Sequence, residues 1–448
     1  MSQATFPGDF LWGVATSAYQ IEGSPLEDGA GPSNWHRFAH EPGRVLGGDH
    51  GDRACDHYRR YAGDLDLVRE LGLNAYRFSL NWSRIRPEGR GRRNPRGLDF
   101  YERLIDAVLE RGLTPFLTLH HWDMPLALEE AGGWTNPDTA AWFADYVHEV
   151  AGRFDDRVPY WASFNEPWVI IHAGLVEGVH PPGRRDPAEA ARAAHGLLRA
   201  HAQADAAYRA VGRHAFGIVV NLEPKYPASE AQADLDAAAR ATAYMNRWFL
   251  EPVVHGRYPE RLPEVFGAHW PDFPDADVSA LRAPPDFIGV NYYTRAVVRA
   301  DPAAWCGARA VPVEDALHTD MGWEVYPQGL TDTLRWVHKH FGERALYVTE
   351  NGAAFPDGAP VDGRVTDPER CAYFEAHLAA AREARADGVD LRGYFAWSLL
   401  DNFEWQFGYA RRFGLVHVDF ATQRRTLKDS ARVYARLVAE QGVSDRSG

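Results

Sequence analysis

The chain reads as a (β/α)8 TIM barrel, a single domain over residues 1–448 with elaborated βα loops. Three observations carry that reading. Apolar, β-rich runs recur eight times along the 448 residues. Helical stretches lie between them at about 56 residues per unit, a spacing that suits a barrel with insertions. Polar or aromatic residues stand at or near the C-terminal ends of seven of the eight runs, where barrels of this type gather their chemistry.

The eight runs cover residues 10–16, 74–80, 114–119, 160–164, 216–222, 287–292, 345–349 and 393–398. Near-continuous apolar strands separated by helices imply a parallel sheet buried on both faces. The helix before the last run shows the local signals well. Asp367 is placed to cap it, Pro368 fits its first position, the helix is expected over 370–387, and Gly388 suits the left-handed residue that ends it. Polar, Pro- and Gly-containing stretches at 180–188, 300–319 and 354–365 read as barrel loops rather than linkers. No internal repeat or low-complexity tract interrupts the pattern.

Composition excludes several classes. The 48 basic and 62 acidic residues leave a net charge of −14, with no basic block, so a nucleic acid partner is disfavoured. Lys225, Lys339 and Lys428 are the only lysines, a bias toward arginine that reads as coding rather than function. Cys55, Cys306 and Cys371 are odd in number and widely spaced, which argues against a disulfide framework and a thiolate metal site and for a reducing compartment. The first ten residues lack a basic then apolar leader, and no run of about 18 apolar residues follows. The expectation is a soluble, cytoplasmic protein without a membrane span, with homo-oligomer formation left open.

Two carboxylates end two of the runs. Glu166 follows Asn165 and precedes Pro167, which disfavours the helical region for the residue before it and predicts an extended strand end. Glu350 precedes Asn351-Gly352, a turn signal. Acids needed only for solubility rarely stand among asparagines and aromatics, whereas a pair of carboxyls brought together is the machinery of glycoside hydrolysis. Gln20, Arg77, His120-His121-Trp122, Asn291 to Tyr293 and Trp397 complete the set at the other strand ends.

Four motifs together resemble the family 1 glycoside hydrolases, the β-glucosidase family, over essentially the whole length. These are Phe10-Leu-Trp-Gly-Val-Ala-Thr-Ser-Ala-Tyr-Gln-Ile-Glu-Gly23, Asn165-Glu166-Pro167, Thr349-Glu350-Asn351-Gly352 and Trp397-Ser-Leu-Leu-Asp-Asn-Phe-Glu-Trp405. The resemblance implies a retaining exo-β-glucosidase in which Glu350 is the nucleophile and Glu166 the acid and base. Arg77 and Tyr293 would hold Glu350 ionised. Gln20, His121, Trp122, Asn165, Asn291, Tyr293, Glu404 and Trp405 would bind the terminal sugar over a floor made by Trp397, with Trp168 and Trp323 on the aglycone side. Small β-glucosides and cello-oligosaccharides would be the partners, and no cofactor is implied.

Within the family, Glu404 facing the sugar's 4- and 6-hydroxyls disfavours a 6-phosphate, and a glutamate at 166 disfavours the thioglucosidase branch, where glutamine is expected. The chain departs from the family at Gln406, where a small residue is common, and at Leu427, where proline is common. Rival readings are a non-catalytic carbohydrate-binding barrel, whose mark is loss of an acid, and a transglycosylating β-glycosidase with galactoside or fucoside preference. Asp123 beside His120-His121, and Asp52 with Asp56 and His57, are metal candidates by residue type. Neither has the His-Glu-x-x-His spacing, so no metal is expected.

Overall fold

The computed structural model describes residues 6–441. The predicted domain, the expected absence of a leader and the start of the chain therefore extend partly outside the described residues. Eight parallel strands close into a barrel: β1 Leu11–Ala15, β2 Ala75–Ser79, β3 Thr114–His120, β4 Tyr160–Asn165, β5 Ala215–Asn221, β6 Phe287–Asn291, β7 Ala345–Asn351 and β8 Leu391–Trp397. Each runs beside its sequence neighbour, and β1 closes the ring against β8. The apolar runs match these strands to within two residues.

The return helices are α1 His57–Glu70, α2 Pro95–Glu110, α3 Thr139–Phe154, α4 Pro187–Arg209, α5 Leu250–His255, α6 Pro327–Phe341, α7 Pro368–Ala386 and α8 Asp429–Ala439. Proline opens α2, α4, α6 and α7, where its missing N–H costs nothing. Gly388 takes φ +94° after α7, as expected. Asp367 does not cap that helix with its side chain. Its carboxylate accepts instead from the Ser430 N–H and hydroxyl and from Arg370, tying α7 to the start of α8.

Alternation along the strands sorts side chains into two layers. Tyr76, Leu117, Trp161, Ile288, Val348 and Tyr394 pack outward in the main hydrophobic core, while Ala15, Ala75, Phe116, Ala162, Phe287, Tyr347 and Phe395 fill the barrel. Phe116 sits 5.2–5.6 Å from the rings of Phe287, Tyr347 and Phe395, mostly edge to face. Each such pair is worth about 0.5–1.5 kcal/mol beyond its area burial, so the barrel centre is a packed aromatic floor and not a pore.

Two short features went unread in the sequence. Lys225–Pro227, Ala296–Ala300 and Ala308–Ala310 form a small sheet beside the β5 and β6 loops, so the expected loop at 300–319 contains a strand. Val416–Val418 pairs with Arg425–Leu427, and Leu427, where the family commonly has proline, is a ladder residue in that pair. Among the described residues no helix is long and apolar enough to cross a membrane, and Cys55, Cys306 and Cys371 form no disulfide.

Candidate active site

Both acids stand where the barrel ladder breaks. On β4 the register against β5 shifts between Ala162 and Asn165. On β7 it shifts between Val348 and Glu350 against β6, and between Val348 and Asn351 against β8. Such irregularities re-aim side chains. Thr349 bonds the inward-facing Asn291, and simple alternation would send Glu350 to the opposite side, yet its carboxylate meets Arg77 in the barrel mouth.

Two expectations need correction. Glu166 is not extended; it takes φ 47°, ψ 61° and precedes a one-turn helix opened by Pro167. Proline blocks the right-handed helical region, and the chain meets that demand on the left-handed side. Trp122 (φ 78°) and Trp405 (φ 50°) share this costly conformation at the same cleft. Asn351-Gly352 makes no turn after Glu350, because β7 continues through Asn351. Gly352 is required for close approach: a Cβ there would lie 1.8 Å from the Trp397 carbonyl oxygen.

A single hydrogen-bond network joins the two carboxyls. Arg77 donates to Glu350 Oε1 at 2.6 Å and to Asn165 Oδ1 at 2.7 Å, and Tyr293 donates its hydroxyl to Glu350 Oε2 at 2.7 Å. Asn291 donates to Glu166 Oε1 at 2.7 Å and to Asn165 Oδ1 at 3.0 Å, while Thr349 fixes Asn291 through its carbonyl oxygen at 2.7 Å. Asn165 Nδ2 donates to His121 Nε2 at 3.0 Å, which leaves the His121 proton on Nδ1. Trp122 Nε1 donates to the Asn165 backbone carbonyl.

The electrostatics separate the acids. Burial raises both carboxyls above the usual range, and for Glu166 the charge of Glu350 is the second cause. Glu350 has an Arg77 guanidinium and a phenol donating to it, whereas Glu166 receives one neutral amide bond. The proton shared by this pair therefore resides on Glu166. Glu404 is pushed up to about 8 by burial and by Glu350, against a bond from Gln20.

An open cleft of about 380 Å³ is lined by Trp122, Glu166, Trp168, Asn291, Tyr293, Trp323, Glu404 and Trp405 among others. Trp323 packs 5.1 Å from Tyr293, Trp168 stacks on His172 at 4.3 Å, and both line this cleft. His121 lies between Trp397 and Trp405, at 5.9 and 6.1 Å from their rings. Gln20 is fully buried, accepts from Ser17, and donates to Asn402, the Phe403 carbonyl and Glu404, so it braces Glu404.

Sequence reasoning missed His180, which bonds Gln406 at 2.5 Å across the cleft rim and packs on Trp35 and Trp122. The uncommon Gln406 was its only signal. It also missed a buried ion network beneath the 397–405 segment. Asp401 accepts from Lys428 Nζ at 2.7 Å, Arg412 at 2.7 Å and the Gly414 N–H at 3.0 Å, and Asp357 joins Lys428 to Arg370. Lys428 is thus more than a survivor of arginine bias. Of the metal candidates, His120 is enclosed by Trp82, Trp134, Phe143 and Phe164. His57 is bonded to Asp64 and Asp56 to Arg59 and Arg60, so Asp52, Asp56 and His57 do not converge.

A barrel carrying two buried, linked carboxyls at the ends of its fourth and seventh strands defines a class that the comparisons identify. The model of glycosyl hydrolase family 1 matches residues 2–443, and the chain belongs to that family. It is 48% identical to beta-glucosidase A of Thermotoga maritima over 99% of this chain and 100% of that one. It is 46% identical to a 1,4-beta-D-glucan glucohydrolase of Thermotoga neapolitana, over 98% and 99% of the two chains. The solved structure of the Thermotoga maritima beta-glucosidase in complex with deoxynojirimycin superposes with a TM-score of 0.96 at 48% identity, covering 98% of this chain and 99% of that one.

Proposed function

We propose that this chain is a retaining, exo-acting β-glucosidase, one catalytic domain that removes terminal non-reducing β-D-glucosyl residues from small β-glucosides and cello-oligosaccharides. The observation that carries the reading is the unequal support of two carboxyls in one network: Arg77 and Tyr293 hold charge on Glu350, and burial with that charge keeps the proton on Glu166. The names of the relatives support the substrate class.

In the first step Glu350 attacks the anomeric carbon while Glu166 gives its proton to the departing oxygen, leaving a glucosyl ester on Glu350. With that charge consumed, the cause that raised Glu166 is removed, and it is suited to take a proton from water. Water then attacks the anomeric carbon, Glu350 leaves, and Glu166 regains the proton. A double displacement of this kind needs the carboxyls about 5–5.5 Å apart. Asn165, held by Arg77 and Asn291, is assigned to the 2-hydroxyl; His121, Trp122, Glu404 with its brace Gln20, and Trp405 to the rest of the terminal sugar; Trp397 to the ring; and Trp168 and Trp323 to the aglycone side.

Kinetics on a panel of p-nitrophenyl β-glycosides alongside cellobiose and longer cello-oligosaccharides test the proposal. Glucose released one unit at a time from the non-reducing end is expected. Internal cleavage of long chains with no early glucose, or no turnover of any β-glucoside, overturns it.

A further inference from the structure

Behind the wall formed by Glu404 and Trp405 lies a cluster that the chemistry above does not use. His36 and His40 stand one turn apart on the helix Asn34–His40, with ring centroids 4.6 Å apart. His50 stacks on His40 at 4.6 Å, and Asp52 closes the group from the adjoining loop. Asp52 Oδ2 lies 3.2 Å from His40 Nε2 and 3.4 Å from His50 Nδ1, and Asp52 Oδ1 lies 3.8 Å from His36 Nε2.

The tautomer of His40 is the informative detail. Its Nδ1 lies 2.6 Å from the His36 backbone carbonyl, which can only accept, so Nδ1 carries the hydrogen. In a neutral imidazole Nε2 is then a bare lone pair, pointed at a carboxylate oxygen 3.2 Å away. A bound cation placed between the two would satisfy both, as would a proton. Asp52 Oδ1 is also shielded from water with no hydrogen-bond partner. A histidine that donates Nδ1–H to a backbone carbonyl while offering Nε2 is the usual arrangement around a bound metal.

The spacing fits an ion as well. Tetrahedral zinc with bonds of about 2.0–2.1 Å has neighbouring ligand atoms about 3.3 Å apart. The donor atoms of His36, His40 and Asp52 all lie within 4.8 Å of one another on side chains that are half-buried or exposed.

We propose that His36, His40 and Asp52, with Asp52 held in place by His50, form a site for one divalent transition-metal ion, with zinc the best match to two imidazoles and a carboxylate. The ion would clasp the helix Asn34–His40 to the loop at 49–52. Both support the sugar pocket: Trp35 packs 4.6 Å from Trp405, Asp49 accepts the Tyr409 N–H at 3.0 Å, and the His50 carbonyl accepts the Tyr409 hydroxyl. The role is structural and separate from the acids, so it stands or falls independently of the glucosidase reading.

The test is a zinc titration of chelator-stripped protein by calorimetry, with cobalt absorption reporting coordination geometry and thermal unfolding reporting the effect on stability. One ion per chain is expected, together with a tetrahedral cobalt spectrum and a midpoint raised by about 3 °C when zinc is a hundredfold above Kd. His40→Ala and Asp52→Ala should each weaken zinc binding at least tenfold. His50→Asn, a mild change on an exposed side chain, should weaken it too, which guards against misfolding of the stronger variants. Undiminished binding in all three, or no stoichiometric binding at millimolar zinc, overturns the proposal. The second result would mean that a proton alone bridges His40 and Asp52.

Discussion

At the residue scale, two chemically identical side chains become different acids. Glu166 and Glu350 are both buried, and the difference lies in their donors. Glu166→Ala should therefore slow glycosides with poor leaving groups by about 10²–10⁴ and activated aryl glycosides far less, because only the former need the proton. Steady-state kinetics on both classes decide this, and equal losses would remove Glu166 as the acid. The pH profile of kcat/KM should be a bell that loses activity on the acid side as Glu350 gains a proton and on the alkaline side as Glu166 loses one. In Glu350→Gln the repulsion is gone, so the pKa of Glu166 followed by carbon NMR should fall. It should still stay above the ordinary carboxylate range, since burial is the larger cause. An unchanged value would show that the partner's charge plays no part.

At the element scale the ends of β4 and β7 matter most. Their location was legible because apolar runs of strand length end at the acids, and Pro167 marked a break. Their conformation was not. The left-handed Glu166 and the register shifts on β4 and β7 are responses to neighbouring strands, which no local signal encodes. Gly352 shows the same limit: the residue type signals a turn, but its reason is the Trp397 carbonyl of the adjacent strand. Gly352→Ala should push the end of β7 away from β8 and carry Glu350 with it. Misplacement by about 1 Å costs on the order of 10² in rate, so kcat should drop by at least that much while the far-ultraviolet circular dichroism stays native. Unchanged kcat would mean that β7 tolerates the methyl and that the close approach does not position the acid.

At the scale of the whole molecule, the hydrophobic pattern carried the barrel and the motif order carried the family, since both are distributed along the entire chain. The buried charges were not readable, because a lysine or aspartate destined for the interior looks like any other in sequence. Lys428 is fully buried between Asp357 and Asp401, and it holds the segment that bears Trp397 and Glu404 to the α7 and α8 side of the barrel. Lys428→Met leaves Asp357 with Arg370, and Asp401 with Arg412 and the Gly414 N–H. Breaking a buried pair this way costs about 3–5 kcal/mol, measured as a lower denaturation midpoint in guanidinium. A midpoint equal to that of the unaltered protein would show that the arginines suffice.

The central claim is that Glu350 bonds covalently to the sugar. Incubation with an activated 2-deoxy-2-fluoro-β-glucoside slows release of the intermediate more than its formation, and peptide mapping by mass spectrometry then locates the label. One fluoroglucosyl group per chain is expected, on the peptide containing Glu350. A label on Glu166, on Glu404 or on any other residue would contradict it.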